Sequence, residues 1–311
     1  MPKMGVMASQ ILSALLRGLT LASKFLLVFV MAKTLSLADV SVYALISAAV
    51  SYSLFLLGFD FYVYSTREML CRDRLSWMPL VRDQFVLYLI AYVVFLPLLI
   101  FLFVWKFLPW KFCFLFYLLL VFEHLSQESV RFLVVLKRSV WANLVLFFRL
   151  GLWVYFVAAI LVFFPAMRFA SVVFFLWLLG AVCSIVIALF VLLRIDLGSC
   201  REIRVDFRWI YNGIRVVLPF LLSTLALRGI FSLDRFYVDL FMGSSLVGVY
   251  SFYSSFSMAI ASFVDAVVVA SFYPKLVSSY ASGGGMSSSF IFGALHFLYW
   301  LLFYFVCLAY L

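Results

Sequence analysis

Charge is scarce in this chain of 311 residues: only 12% of positions are Asp, Glu, Lys or Arg, whereas 68% are hydrophobic. That scarcity excludes a disordered or acidic-tail protein, which needs high charge and low hydrophobicity. Histidine occurs only twice, at His124 and His296, far apart in sequence. The five cysteines, Cys71, Cys113, Cys183, Cys200 and Cys307, form no CxxC pair. A metal-ligand cluster and a disulfide framework are both excluded on spacing. No segment reads as a cleavable leader, because the apolar stretch after Lys3 is long and carries Arg17 and Lys24 inside it.

Hydrophobicity is what the chain has in quantity. Its mean hydropathy is +1.21. Soluble domains are about 45–50% apolar, and a protein of this size has no interior large enough to hide the excess. Lipid solvates apolar surface directly, so the fold class expected is an all-α polytopic membrane protein. About 20 mainly apolar residues cross a bilayer as a helix. Nine such runs are present, near 10–32, 40–64, 84–105, 112–136, 140–164, 169–193, 212–242, 246–273 and 290–311. The loops are short, which leaves no room for a soluble domain. The net charge of +10 would suggest nucleic acid in a soluble protein. Here it is spread over loops and is a topology signal. With the N-terminus in the cytoplasm, 12 Lys and Arg fall in cytoplasmic segments (Lys3, 67–82, 137–138, 194–208 and Lys275) and 4 on the opposite side. The positive-inside rule then places the N-terminus inside.

The first and seventh spans repeat one another. At a constant offset of 211, Arg17 meets Arg228, Gly18 meets Gly229, Lys24 meets Arg235 and Met31 meets Met242. Basic residues inside spans are rare, so these matches weigh more than the apolar ones. Six spans separate the copies, an even number, so the repeat is parallel. The domain organisation expected is a six-helix lobe over 1–195, a cytoplasmic linker over 196–211, and a three-helix partial lobe over 212–311.

The segment LRGIFSLDRFYVDLFMGSSLVGVYSFY at 227–253, with Pro274 beyond it, resembles the start of the second lobe of polysaccharide flippases. These belong to the multidrug/oligosaccharidyl-lipid/polysaccharide exporter superfamily. EHLSQESVR at 123–131 and ANLVLFFRLGLW at 142–153 are similar to the O-antigen branch. The resemblance implies a transporter and not an enzyme. It implies movement of an undecaprenyl-diphosphate-linked oligosaccharide from the cytoplasmic to the periplasmic leaflet of a bacterial inner membrane. No cofactor is expected. The partners expected are the lipid-linked oligosaccharide, membrane lipids and a polysaccharide polymerase, without nucleic acid. Family members have at least twelve helices, so three further helices are expected to complete the functional unit. A multidrug or organic-cation antiporter would want an acidic cavity, against which the basic stripes argue. A polymerase or glycosyltransferase would need sizeable periplasmic loops. A non-catalytic scaffold is the remaining alternative.

Charges inside the spans supply the candidate site residues. Arg17 and Lys24 are two turns apart on one helix face, as are Arg228 and Arg235. These four, with Arg149, are the candidate diphosphate ligands, since a planar guanidinium donates two hydrogen bonds to phosphate. His124, Glu128 and Arg131 follow i, i+4, i+7 along the fourth span. Glu128, with His124 and Arg131 beside it, is the candidate proton acceptor; the competing role is a static pair with Arg131. Glu123, Asp60 and Asp265 complete the ion-coupling candidates. Pro219, inside the seventh span, is a candidate hinge.

Overall fold

A bilayer offers backbone groups no water, so a spanning segment must satisfy its own hydrogen bonds, and a helix does this within one segment. The computed structural model describes residues 5–197 and 204–258, and among them there is no strand. The helices are α1 (Val6–Thr34), α2 (Leu37–Gly58), α3 (Tyr62–Leu70), α4 (Trp77–Leu98), α5 (Phe101–Val104), α6 (Cys113–Val135), α7 (Ser139–Phe147), α8 (Trp153–Phe163), α9 (Ala170–Leu192), α10 (Phe207–Ser232) and α11 (Asp234–Met242). Residues 244–258 are helical as well. Among the described residues, seven stretches are long and apolar enough to cross a membrane: Met7–Thr34, Leu37–Gly58, Arg74–Val104, Trp110–Val135, Ser139–Phe163, Ala170–Leu192 and Phe207–Met242. The chain is an all-α, multi-pass membrane protein, and these seven match the first seven runs read from sequence. The eighth run is described only to residue 258. The ninth run, Asp265 and Pro274 lie outside the described residues.

Large apolar side chains point outward as well as inward. Val93 and Phe114 are each 76% exposed, a pattern that suits lipid and not water. The interior holds Phe103, Phe116, Phe174, Leu119 and Leu161, all fully buried. Small residues let helices approach closely. α2 buries Ser41, Ala44, Ala48, Ala49 and Ser53, and α6 meets α9 through a Ser126–Ser184 hydroxyl pair at 2.5 Å. α1 lies against α7 and α8, whereas α10 lies against α2, α3 and α4. Residues through Phe256 form one compact unit. Ser36 caps α2 by accepting from the Asp39 amide at 3.1 Å, and Asp39 in turn accepts from the Ala170 amide at the start of α9, at 3.2 Å. One carboxylate thus ties two helix starts together at one face of the membrane.

The described spans depart from uniform geometry at four places, two of them beside buried charge, and the third span breaks at residues 99–100, between α4 and α5 and just after Pro97. The second run is broken: α2 stops at Gly58, and Phe59 and Asp60 take φ of 52° and 49° before α3 begins. Non-glycine residues in this left-handed region carry a cost that surrounding contacts must offset. The fifth span contains a π-helical turn, Phe148–Leu152, between α7 and α8. The seventh span passes through Pro219 within α10, and its interruption falls instead at Leu233, between α10 and α11. Pro219 therefore sits inside an assigned helix, 14 residues before the place where the helix is interrupted.

Candidate functional site: two polar networks and a set of unpaired cations

α6 carries Glu123, His124, Glu128 and Arg131; it packs against α2 on one side and α7 and α9 on the other, and its polar side chains reach α4 through Tyr88 and Tyr92. A helix so placed sends alternate turns of one polar sequence into different neighbourhoods.

The first network faces α2 and α4. Glu128 is paired with Arg131 one turn on, and it accepts a hydrogen bond from the Tyr88 hydroxyl at 2.6 Å. The Gln84 amide donates to the Tyr88 hydroxyl at 2.5 Å and reaches Glu128 at 3.3 Å. Arg131 also approaches Asp60 at 4.0 Å and lies over the Tyr62 ring, 3.7 Å from its centroid. The broken second span is what delivers Asp60 and Tyr62 here. His124 shares a 2.7 Å hydrogen bond with the Tyr92 hydroxyl through Nδ1, and the Tyr88 ring stands edge-on to it. Its other ring nitrogen, Nε2, is buried and meets no hydrogen-bonding partner among the described residues. Gly58 makes room for that nitrogen: a Cβ there would lie 3.1 Å from it.

The second network faces α7, α8 and α9. Arg149 donates through Nε to Glu123 at 2.6 Å, and Trp177 donates to the other carboxylate oxygen, also at 2.6 Å. Glu123 is 2% exposed and Arg149 9%. The π turn frees carbonyls that ordinary helix would use. Trp153 donates to the Arg149 carbonyl at 2.9 Å, and Ser23 reaches the Leu150 carbonyl at 3.4 Å. Trp153 and Trp177 stack with centroids 5.9 Å apart, closing this pair from water. Of the candidates read from sequence, Arg149 is thus not placed with the other cations, nor Glu123 with Glu128. The two are held against each other.

The four remaining cations, Arg17, Lys24, Arg228 and Arg235, form no ion pair among the described residues. Arg17 donates to the Asn143 side chain of α7 at 3.0 Å. Arg228 lies 5.4 Å from the Phe55 ring centroid of α2. Arg235 donates to the Ala44 carbonyl at 3.2 Å and approaches the Ser47 hydroxyl at 3.4 Å. Arg17, Lys24 and Arg228 are exposed. The two basic stripes meet different neighbours: Arg17 reaches the fifth span, and Arg228 and Arg235 reach the second. The repeat is also inexact in backbone, since α1 runs unbroken through Lys24 where the seventh span is interrupted at Leu233.

Gln84, Tyr88 and Tyr92 are functional neighbours that the sequence pattern did not single out. Their spacing of four along the third span is a polar stripe of the same kind as the one on α6, and that stripe was the available signal. Asn143 carried no comparable signal. Among the described residues no group of three or more His, Cys, Asp or Glu is placed to hold a metal ion. No protein-family model, curated protein or solved structure matches the chain.

Proposed function

We propose that the chain belongs to a transporter that moves a lipid-linked oligosaccharide, carried on a polyprenyl diphosphate, across a bacterial inner membrane. In this reading the N-terminus is cytoplasmic, the protein is not an enzyme, and a polysaccharide polymerase takes up the product. The observation that carries it is the contrast in pairing. Arg131 and Arg149 are each held by carboxylates, whereas Arg17, Lys24 and Arg228 are accessible cations in no ion pair among the described residues. Arg17 and Lys24 lie about 15 Å from the nearer end of their span, at 1.5 Å per residue. A cation at that depth against bare hydrocarbon costs roughly 2.5–3.5 kcal/mol. Lining an aqueous path that admits an anion removes the cost. A diphosphate supplies the charge, and arginine supplies the forked donors that match it. The sequence resemblance to polysaccharide flippases points to the same cargo.

Glu128 is the candidate coupling group in this reading. Its hydrogen bonds from Tyr88 and Gln84 and its pair with Arg131 form a polar site between spans, beside a histidine nitrogen with no described partner. Protonation of Glu128 would release Arg131 toward Asp60.

The test is a binding assay on purified protein in vesicles. Undecaprenyl diphosphate is expected to bind more tightly than undecaprenol, and hydrophobic organic cations are not expected to compete. Tight binding of organic cations with no preference for the diphosphate would instead support a multidrug antiporter.

A further inference from the structure

A separate cationic site lies at the membrane face where α6 ends, α7 begins and α9 ends. A pocket of about 140 Å³ is lined there by Arg138, Trp141, Phe190, Val191, Arg194 and Ile195. The backbone fixes its first cation. Lys137 adopts φ of 58°, its amide donates to the Val134 carbonyl at 2.9 Å, and the Arg138 amide donates to the Leu133 carbonyl at 3.0 Å. This pair of bonds closes α6 in a Schellman turn and sets Arg138 as the residue capping α7. The first turn of α7 has no side-chain cap, so its amides are open to an acceptor. The second cation is fixed by stacking: the Arg194 guanidinium lies over the Phe190 ring at 3.8 Å. Stacking occupies the face of the guanidinium and leaves its edge free to donate. Neither Arg138 nor Arg194 is in an ion pair among the described residues.

The surroundings are apolar. Along α9 the outward side chains Val186, Leu189 and Leu193 are 60%, 50% and 84% exposed, and Val134 at the end of α6 is 58% exposed. Two arginines, an open helix start and an interfacial tryptophan therefore stand at the edge of a surface that hydrocarbon must cover.

We propose that this pocket binds the phosphate of an anionic phospholipid drawn from the surrounding bilayer, with an acyl chain lying along α9. Basic pockets between spanning helices suit such headgroups. The two guanidiniums share the phosphodiester oxygens, Trp141 packs against the glycerol region, and the apolar wall excludes a ligand that is purely ionic. The site involves none of the cations assigned to the diphosphate and stands whether or not that assignment holds.

The test uses the full chain in vesicles of phosphatidylcholine containing phosphatidylglycerol, with co-purifying lipid read by native mass spectrometry. The wild type is expected to retain phosphatidylglycerol preferentially. Arg138→Gln together with Arg194→Gln is expected to lower that preference roughly thirtyfold, the weight of two arginines near an anionic surface. Arg138→Lys with Arg194→Lys should keep a measurable part of it, and Lys111→Gln, at the other end of α6, should leave it unchanged. Both arginines end on exposed segments, and each single Gln variant gives an independent reading. Equal retention by the double Gln variant overturns the proposal. Inorganic phosphate at millimolar concentration that displaces phosphatidylglycerol, or that stabilises the protein as well as the lipid does, overturns the lipid assignment in favour of a free phosphate ion.

Discussion

Glu123 and His124 are adjacent in the chain, yet their side chains belong to different networks: Glu123 is bonded to Arg149 and Trp177, and His124 to Tyr92. Successive residues on a helix diverge by about 100°, so a helix packed against neighbours on two sides hands adjacent polar groups to different partners. The consequence is a division of labour along α6. The Glu123 side is buried, tryptophan-covered and paired. The His124 and Glu128 side retains a ring nitrogen without a described partner.

The Glu123–Arg149 pair should behave as a structural element. Removing one member strands the other charge in a buried site, a loss of about 3–5 kcal/mol, whereas replacing both by apolar residues is far less costly. Glu123→Leu and Arg149→Leu are each expected to lower thermal stability in detergent strongly, with the double variant closer to wild type than either single one. Additive losses would show that the two do not act as a pair.

Glu128 should couple transport to protons. In the proposed transport role, Glu128→Gln mimics the protonated acid, so transport is expected to lose dependence on an imposed proton gradient while the protein still folds. Proteoliposome assays at two external pH values read this. Normal gradient dependence in the Gln variant would leave Glu128 as a static partner of Arg131.

Close packing at the N-terminal end of α2 makes a further prediction. A Cβ added at Gly248 would lie 2.9 Å from the Leu37 carbonyl oxygen and 2.9 Å from the Ser41 hydroxyl. Ser41 already donates to the Ser244 carbonyl at 2.5 Å. A backbone oxygen cannot swing aside as a side chain does. Gly248→Leu is therefore expected to cost about 1–3 kcal/mol by overpacking, read as a lower unfolding midpoint. Gly18 lies inside α1 and has nothing within 4 Å of an added Cβ, so Gly18→Ala should raise stability slightly, by roughly 0.5–1 kcal/mol.

Topology is testable with thiols. Leu108 lies in the loop expected outside but is buried, so the accessible Lys111 is the better reporter. Cys71 is exposed in the basic loop expected inside. With the other cysteines removed, an impermeant maleimide added to intact cells should label Lys111→Cys and spare Cys71. The opposite pattern would invert the orientation.

How much of the fold and site was legible in sequence depends on the range of the interaction. The seven described spans follow from local hydropathy, a property of each segment alone; their limits differ from the runs most at the start of the third, Arg74 against 84, and the end of the second, Gly58 against 64. The His124–Glu128–Arg131 row was legible because helical periodicity is also local. The break after Gly58 was not, because the neighbours of the left-handed pair are remote in the chain: Phe59 packs on Phe95 of α4, and Asp60 meets Arg131 of α6. The Glu123–Arg149 pair was not legible for the same reason. It depends on how α6 and the π turn are rotated against each other, and neither residue's own surroundings in sequence reveal a partner. Pro219 lies inside α10, which is continuous through it, and the seventh span is interrupted at Leu233, where the sequence offers no breaker.

Diphosphate recognition by Arg17 and Arg228 is the core of the proposed function. The most direct measurement is equilibrium binding of undecaprenyl diphosphate, set against undecaprenol, for Arg17→Gln, Arg228→Gln and the matching Lys variants. Each Gln substitution is expected to weaken diphosphate binding about 10- to 100-fold, the weight of a charge-assisted hydrogen bond. Each Lys variant should fall between Gln and wild type, and undecaprenol binding should not change. Unaltered diphosphate affinity in both Gln variants, at wild-type stability, would rule out these two arginines as the anion site.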